Sequence, residues 1–402
     1  MSRSTSCLFA ALFVALFCGA DWLQFRGTNG ASLSLDAAPP DSWSDTDNVA
    51  WKSDLPGRGA SGPIVVSGRT YVTCSSGVKQ DHLHVLCFDN KTGDEVWHRE
   101  FWATGRTLTH PFSAVAAPTP ASDGERIFAF FSSNDLACLD LDGNLQWYRG
   151  LAFDYPKAGN DIGMASSPVV VGETVVVQIE NQGDSFAAGI DTTTGETRWR
   201  VAREHRANWV SPIGMPGVRE GSRVVLLQGA SGLTAHDAMT GDELWRYDAP
   251  CSTTPSVAVS EDHIFLPANG LTVLKLASDA TVPSLVWDSS QLSPSPASPI
   301  IVGDRVYTMN NSGVLSCGDI ATGKRLWQLR VGGRHWSTPV VAGDRMYCIN
   351  SDGAAKVVQL GTKGTVLSSN EFSEEIKGSA AISEGALYVR SDKHLWKIAS
   401  GP

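Results

Sequence analysis

Short apolar runs separated by turn residues recur from about residue 49 to the end of the chain. One stretch shows the unit plainly. Pro299 to Val302 is continuously apolar, as suits a strand buried on both faces, and Gly303-Asp304 supplies a turn. Arg305 to Met309 then alternates, with Val306 and Thr308 opposite Tyr307, and Asn310 to Gly313 turns the chain again. Val314 to Asp319 returns, and Ala321-Thr322-Gly323 leads into an outer strand from Lys324 to Leu329. Four strand signals in one such unit are the content of a propeller blade, not of a helical or leucine-rich repeat.

The pattern D-x-x-T-G-x-x-x-W marks the unit. It occurs at Asp89, Thr92, Gly93 and Trp97; at Asp191, Thr194, Gly195 and Trp199; at Asp237, Thr240, Gly241 and Trp245; and at Asp319, Thr322, Gly323 and Trp327. A shortened copy holds Asp140, Gly143 and Trp147. A second pattern, a small residue and Pro before a β-branched run and Gly, starts at Ser61-Gly62-Pro63 and returns at Pro118, Pro168, Pro212, Pro255, Pro299 and Pro339, with Ala381 in the eighth place. The tryptophans Trp51, Trp97, Trp147, Trp199, Trp245, Trp287 and Trp327, with Leu367 spaced 40 residues beyond the last, also reach eight. In this reading the tryptophans pack between adjacent blades, each indole N–H seeking a carbonyl.

The last unit lacks an outer strand of its own, because Leu395 to Ile398 fits the third strand and the chain stops at Pro402. Val49-Ala50-Trp51-Lys52 precedes the first inner strand and carries an outer-strand tryptophan. The chain is therefore expected to form an all-β, eight-bladed propeller over residues 49–402, closed by this N-terminal strand, with residues 21–48 as an extension.

Composition adds limits. The 39 Gly and 20 Pro argue against a helical bundle, and 32 Lys plus Arg against 42 Asp plus Glu leave a net charge of -10, which offers nucleic acid no long-range attraction. Cys7 to Phe17 is apolar but too short to span a membrane, and Cys18, Gly19 and Ala20 follow. This predicts a signal peptide over residues 1–20, cleavage before Asp21 and an extracytoplasmic, periplasmic or secreted product; a lipid anchor on Cys18 is the alternative. Six cysteines then remain. Cys87, Cys138 and Cys317 stand two residues before an Asp, a slot that Gly189 and Ala235 fill elsewhere, so they read as small packing residues. A Cys74–Cys87 bridge is the competing possibility.

The motif ending in T-G-x-x-x-W resembles the tryptophan-docking motif of the PQQ-like β-propeller family, which includes quinoprotein dehydrogenases and the outer-membrane assembly lipoprotein B. Asp21-Trp22-Leu23-Gln24-Phe25-Arg26-Gly27, Trp43-Ser44 and Pro56-Gly57-Arg58-Gly59 resemble its secreted bacterial branch. The resemblance implies the propeller fold over residues 21–402 and fixes no function. A dehydrogenase of this family would need PQQ, calcium and two adjacent half-cystines, and no Cys-Cys pair occurs. Neither PQQ nor calcium is therefore expected. His82 and His84 alternate on a strand without a third ligand nearby in sequence, so no metal site is predicted. No nucleophile elbow or phosphate loop is present.

The expectation is a non-catalytic monomeric propeller serving as a scaffold for an envelope or secreted protein. Small-molecule or glycan binding at the channel mouth is the alternative, and a PQQ-dependent dehydrogenase a more distant one. In a propeller, the segments linking an outer strand to the next inner strand crowd one mouth of the channel, together with the loops between second and third strands. The linking segments hold Arg58, His110, Asp161, Asn208, Trp209, Arg334, His335, Trp336 and Lys377. The loops add Asn134, Asn181, Asn269, Asn310, Asn311, Asn350 and Asp352. Cationic groups outnumber acidic ones in this set, which would suit an acidic or polyhydroxylated ligand.

Overall fold

A computed structural model describes residues 21–34, 38–159, 161–216, 223–277 and 282–401 of the chain; the expected targeting segment, residues 1–20, lies outside them. Eight antiparallel blades of four strands follow one another. The first holds Ile64–Val66, Arg69–Ser76, His82–Asp89 and Glu95–Trp102. The next six open with inner strands Ala121–Ser122, Val169–Val171, Ile213–Pro216, Ala258–Ser260, Ile300–Val302 and Val340–Ala342. The eighth joins Ala381–Ser383, Ala386–Arg390 and His394–Ile398 to an outer strand, Val49–Asp54, from the other end of the chain. The protein is an eight-bladed all-β propeller, closed as its sequence predicts.

A chain of hydroxyl contacts joins the blades near the axis. Two residues before each inner strand stands a small residue: Gly62, Thr119, Ser167, Ser211, Ser256, Ser298, Thr338 and Ser379. The Gly62 N–H donates to Thr119 Oγ1 (2.8 Å), Thr119 to Ser167 Oγ (3.0 Å) and Ser167 to Ser211 Oγ (2.9 Å). Ser211 donates to Ser256, Ser256 to Ser298, Ser298 to Thr338 and Thr338 to Ser379, at 2.9–3.1 Å. These amides lie at the start of each inner strand, where no ladder partner serves them, so the hydroxyl of the next blade satisfies them. The series breaks at the seam of blades 8 and 1. There Gly62 passes so close to Ser379 that a Cβ would lie 2.6 Å from its carbonyl oxygen.

At larger radius the tryptophans fasten the blades. Trp51, Trp97, Trp147, Trp199, Trp287 and Trp327 donate their indole N–H to Asn90, Leu141, Thr192, Ala238, Ile320 and Gly361 carbonyls, each in the next blade. Five of these rings lie on a glycine in the left-handed region: Gly93, Gly143, Gly195, Gly241 and Gly323, where a Cβ would meet the ring at 2.6–2.7 Å. Trp245 packs with Ile264 and Leu274 of blade 5. The small slot noted in the sequence is the residue facing the indole across the ladder. Cys87 opposes Trp97, Cys138 Trp147, Gly189 Trp199, Ala235 Trp245 and Cys317 Trp327, each beside a β-bulge. The cysteines are free, and Cys74 faces His84 while Cys87 faces Tyr71, so the alternative of a Cys74–Cys87 bridge fails on register.

Blade 7 corrects the assignment of Leu367. Ser368, not Leu367, faces Val357 beside the bulge, and Leu367 is exposed. The Ser368 hydroxyl and the Asn370 amide donate to the Asp41 carbonyl, and Trp43 is buried against Phe372 with ring centroids 5.6 Å apart. The extension thus fills the seam that lacks a docking tryptophan.

The start of the extension crosses the channel at the end where first and second strands turn. Trp22 bridges to Val65 of blade 1, Leu23 accepts from the Ser122 amide of blade 2, and Leu33–Ser34 pairs in parallel with Val340–Ala342 of blade 7. Between them Arg26, 3% exposed and at φ 67°, donates to the Val257 carbonyl (2.9 Å) and the Pro299 carbonyl (3.1 Å). Burial pushes its guanidinium down to about 9. The carbonyls it holds belong to blades 5 and 6, across the channel from Trp22.

Two outcomes are expected. Trp199→Ala should cost about 3–5 kcal/mol through its cavity and lost hydrogen bond; an unchanged melting temperature would show that the indole does not fasten blades 3 and 4. Arg26→Ala should cost about 2–4 kcal/mol, since hydrogen bonds to charged groups contribute roughly 1.5–3 kcal/mol each. A urea midpoint equal to that of the parent would show that the extension does not brace the ring.

Candidate binding site at one channel mouth

The extension enters from the side of the turns between first and second strands, where the Ser67 amide donates to Asp21 Oδ1. The opposite mouth is open and leads into a cavity of about 850 Å³. Its depth is set by Phe25 and by the ring hydroxyls of Thr119, Ser167, Ser211, Ser256, Ser298, Thr338 and Ser379, all in the lining. Its walls come from the linking segments. His110 and Phe112 stack with centroids 5.7 Å apart and planes at 20°, and the Arg334 guanidinium lies 6.0 Å from the Phe112 ring centre. Trp209 is held by its indole N–H on the Gly163 carbonyl (2.9 Å), while Trp336 is 46% exposed.

Of the residues expected here, His110, Trp209, Arg334, Trp336 and Lys377 line the cavity. The other four lie elsewhere. Arg58 braces the wall from behind, donating to the Pro111 and Ser113 carbonyls and pairing with Asp392. Asp161 pairs with Arg106 in solvent. Asn208 is buried in a network with Glu180 and the Gln228 carbonyl, where Arg203 Nε donates to Glu180 Oε1 at 2.6 Å. His335 is buried and donates from Nε2 to the Gly332 carbonyl.

Three of the loop asparagines are spent on backbone groups. Asn310 Oδ1 accepts from the Ser312 and Val314 amides, Asn350 Oδ1 from those of Asp352 and Ala354, and Asn134 Nδ2 donates to the Ala158 carbonyl. Among the described residues the lining does not carry the expected cationic excess: Arg334 and Lys377 are matched by Asp352 and Glu375. Lys377 is itself neutralised, 2.7 Å from Asp392 and 3.7 Å from Glu375. Phe25, Phe112 and the ring hydroxyls were not singled out by the sequence reading. The only signal for the hydroxyls was the small residue before each inner strand.

A family described as outer membrane protein assembly factor BamB matches residues 42–210 and again 184–401. The chain belongs to the BamB family. No sequence among the curated proteins matches it significantly. Among solved structures, BamB from Moraxella catarrhalis is similar with a TM-score of 0.65 at 16% identity, over 87% of this chain and 96% of that one. A europium-containing methanol dehydrogenase gives 0.68 at 14% identity over 92% and 89% of the two chains. The quinohemoprotein alcohol dehydrogenase from Comamonas testosteroni gives 0.69 at 12% identity over 95% and 81%. These likenesses concern the propeller fold, which BamB shares with dehydrogenases.

Histidines held by the fold set an acid limit. Burial and the neighbouring His98 lower the pKa of His84 to about 4, and burial lowers those of His236 and His335. Below pH ~6.5 the unfolded chain takes protons that the folded protein refuses, so stability should fall as pH drops from about 7 to 4. Urea titrations across this range check it. The fall should shrink in His84→Asn, and an identical slope in that variant would contradict the assignment.

Proposed function

We propose that this BamB-family propeller is a non-catalytic binding protein that docks a partner protein on the face around its open mouth, in the extracytoplasmic space. The observation that carries the reading is a collar of large apolar side chains on that face. Val78, Trp102, Leu108, Phe112, Phe153 and Trp336 are 46–105% exposed, and all stand on linking segments, strand ends or loops of the same face. Leaving such a collar in water is unfavourable, and apolar patches of this kind mark interaction surfaces. The BamB description as an assembly factor supports a protein as the occupant. Among the described residues no helix is long and apolar enough to cross a membrane.

The donor set around the mouth speaks against a quinone with calcium. Among the described residues the only carboxylates in the lining are Asp352 and Glu375, and Glu375 faces Lys377. Among the described residues no group of three or more His, Cys, Asp or Glu could hold a metal ion, and none of the six free cysteines is adjacent to another.

A photo-crosslinking residue placed at Val78 should capture one envelope protein, and adding Leu108→Asp with Phe153→Asp should abolish capture while leaving the melting temperature unchanged. Capture of the same protein from a crosslinker at Leu326, or by the double variant, would overturn the assignment of this face. PQQ with calcium should give no dye reduction with alcohols or aldoses; turnover would make the protein an enzyme.

A further inference from the structure

The cavity inside the collar has a chemistry that protein docking does not require. Seven Ser and Thr hydroxyls surround its floor, and each accepts an amide N–H from the preceding blade. A hydroxyl carries one donor and two acceptor lone pairs, so this bond leaves each with an O–H to donate and a lone pair to offer. The floor is therefore a ring of groups that both give and accept.

An anion would use only the O–H donors, and a cation only the lone pairs. An apolar ligand would leave the seven O–H donors of the ring without acceptors. A ligand whose own groups are hydroxyls satisfies both halves at once. The walls add a second requirement. Trp209, Trp336 and the stacked pair of His110 and Phe112 present aromatic rings, which pack against the C–H faces of a rigid ring while leaving its edge to hydrogen bonds. The lining charges cancel, Arg334 and Lys377 against Asp352 and Glu375, so nothing favours a charged ligand. The volume of about 850 Å³ lies in the upper part of the range of roughly 300–1,000 Å³ for small-molecule pockets, room for several sugar rings.

We infer that the channel mouth is a binding site for a neutral oligosaccharide, which sets its hydroxyls on the Ser/Thr ring and its faces on Trp209 and Trp336. This site goes beyond the partner-docking reading and does not depend on it. Leu108 and Phe153 lie on the collar outside the cavity lining.

The test is titration of the full chain with cellotriose, maltotriose and chitotriose, and with trigalacturonate as the acidic comparison, followed by tryptophan fluorescence and calorimetry. At least one neutral trisaccharide should bind saturably and change the fluorescence. Trp336→Ala should weaken that binding about tenfold or more. Ser298→Ala should weaken it likewise, and Ser298→Thr, which keeps the hydroxyl as Thr119 and Thr338 do, should restore it. Melting curves of each variant separate loss of binding from loss of fold. Leu108→Asp with Phe153→Asp should retain sugar binding even where partner capture is lost. No binding of any neutral trisaccharide, binding of trigalacturonate alone, or binding indifferent to Trp336→Ala and Ser298→Ala would each overturn the inference.

Discussion

The amide at the start of each inner strand is the group on which this molecule turns. It sits where the ladder has not yet begun, in the crowded centre of the ring, and an unpaired buried N–H is costly. The protein meets that need with a hydroxyl from the next blade, seven times in succession. The blades are thereby set at one spacing, and the same hydroxyls become the floor of the cavity. A side chain chosen to close the fold thus supplies the polar surface of the site.

The second constraint is closure. Strand Val49–Asp54 completes blade 8, and the residues before it fill the two places the repeat leaves open. Trp43 packs into the seam without a docking tryptophan, and Phe25 with Arg26 blocks the channel from below. The extension closes the cavity at that end, so a ligand reaches the hydroxyl floor from the opposite mouth.

Blade number, outer-strand tryptophans and ring closure were legible in the sequence because each rests on a period or on a missing strand. Trp199, Gly241 and Asp237 sit at fixed offsets whatever the rest of the chain does. The site was legible only in its location. Trp336 and His335 are neighbours on an extended segment, so one faces the cavity and the other the core, and the same holds for Trp209 and Asn208. Sequence order cannot say which. Ser167 or Ser298 reads as a small residue before Pro until its partner amide, more than 40 residues away, is placed beside it. Residues 21–34 carry no repeat, so periodicity was silent about their course across the end of the channel.

A crystal structure of the protein soaked in a neutral oligosaccharide would show whether the hydroxyl ring and the aromatic walls act as one binding surface. The prediction is a sugar seated in the mouth, its hydroxyls within hydrogen-bond distance of the Ser/Thr ring and one face against Trp336 or Trp209. A mouth holding only water while the sugar binds on another face, or nowhere, would contradict it.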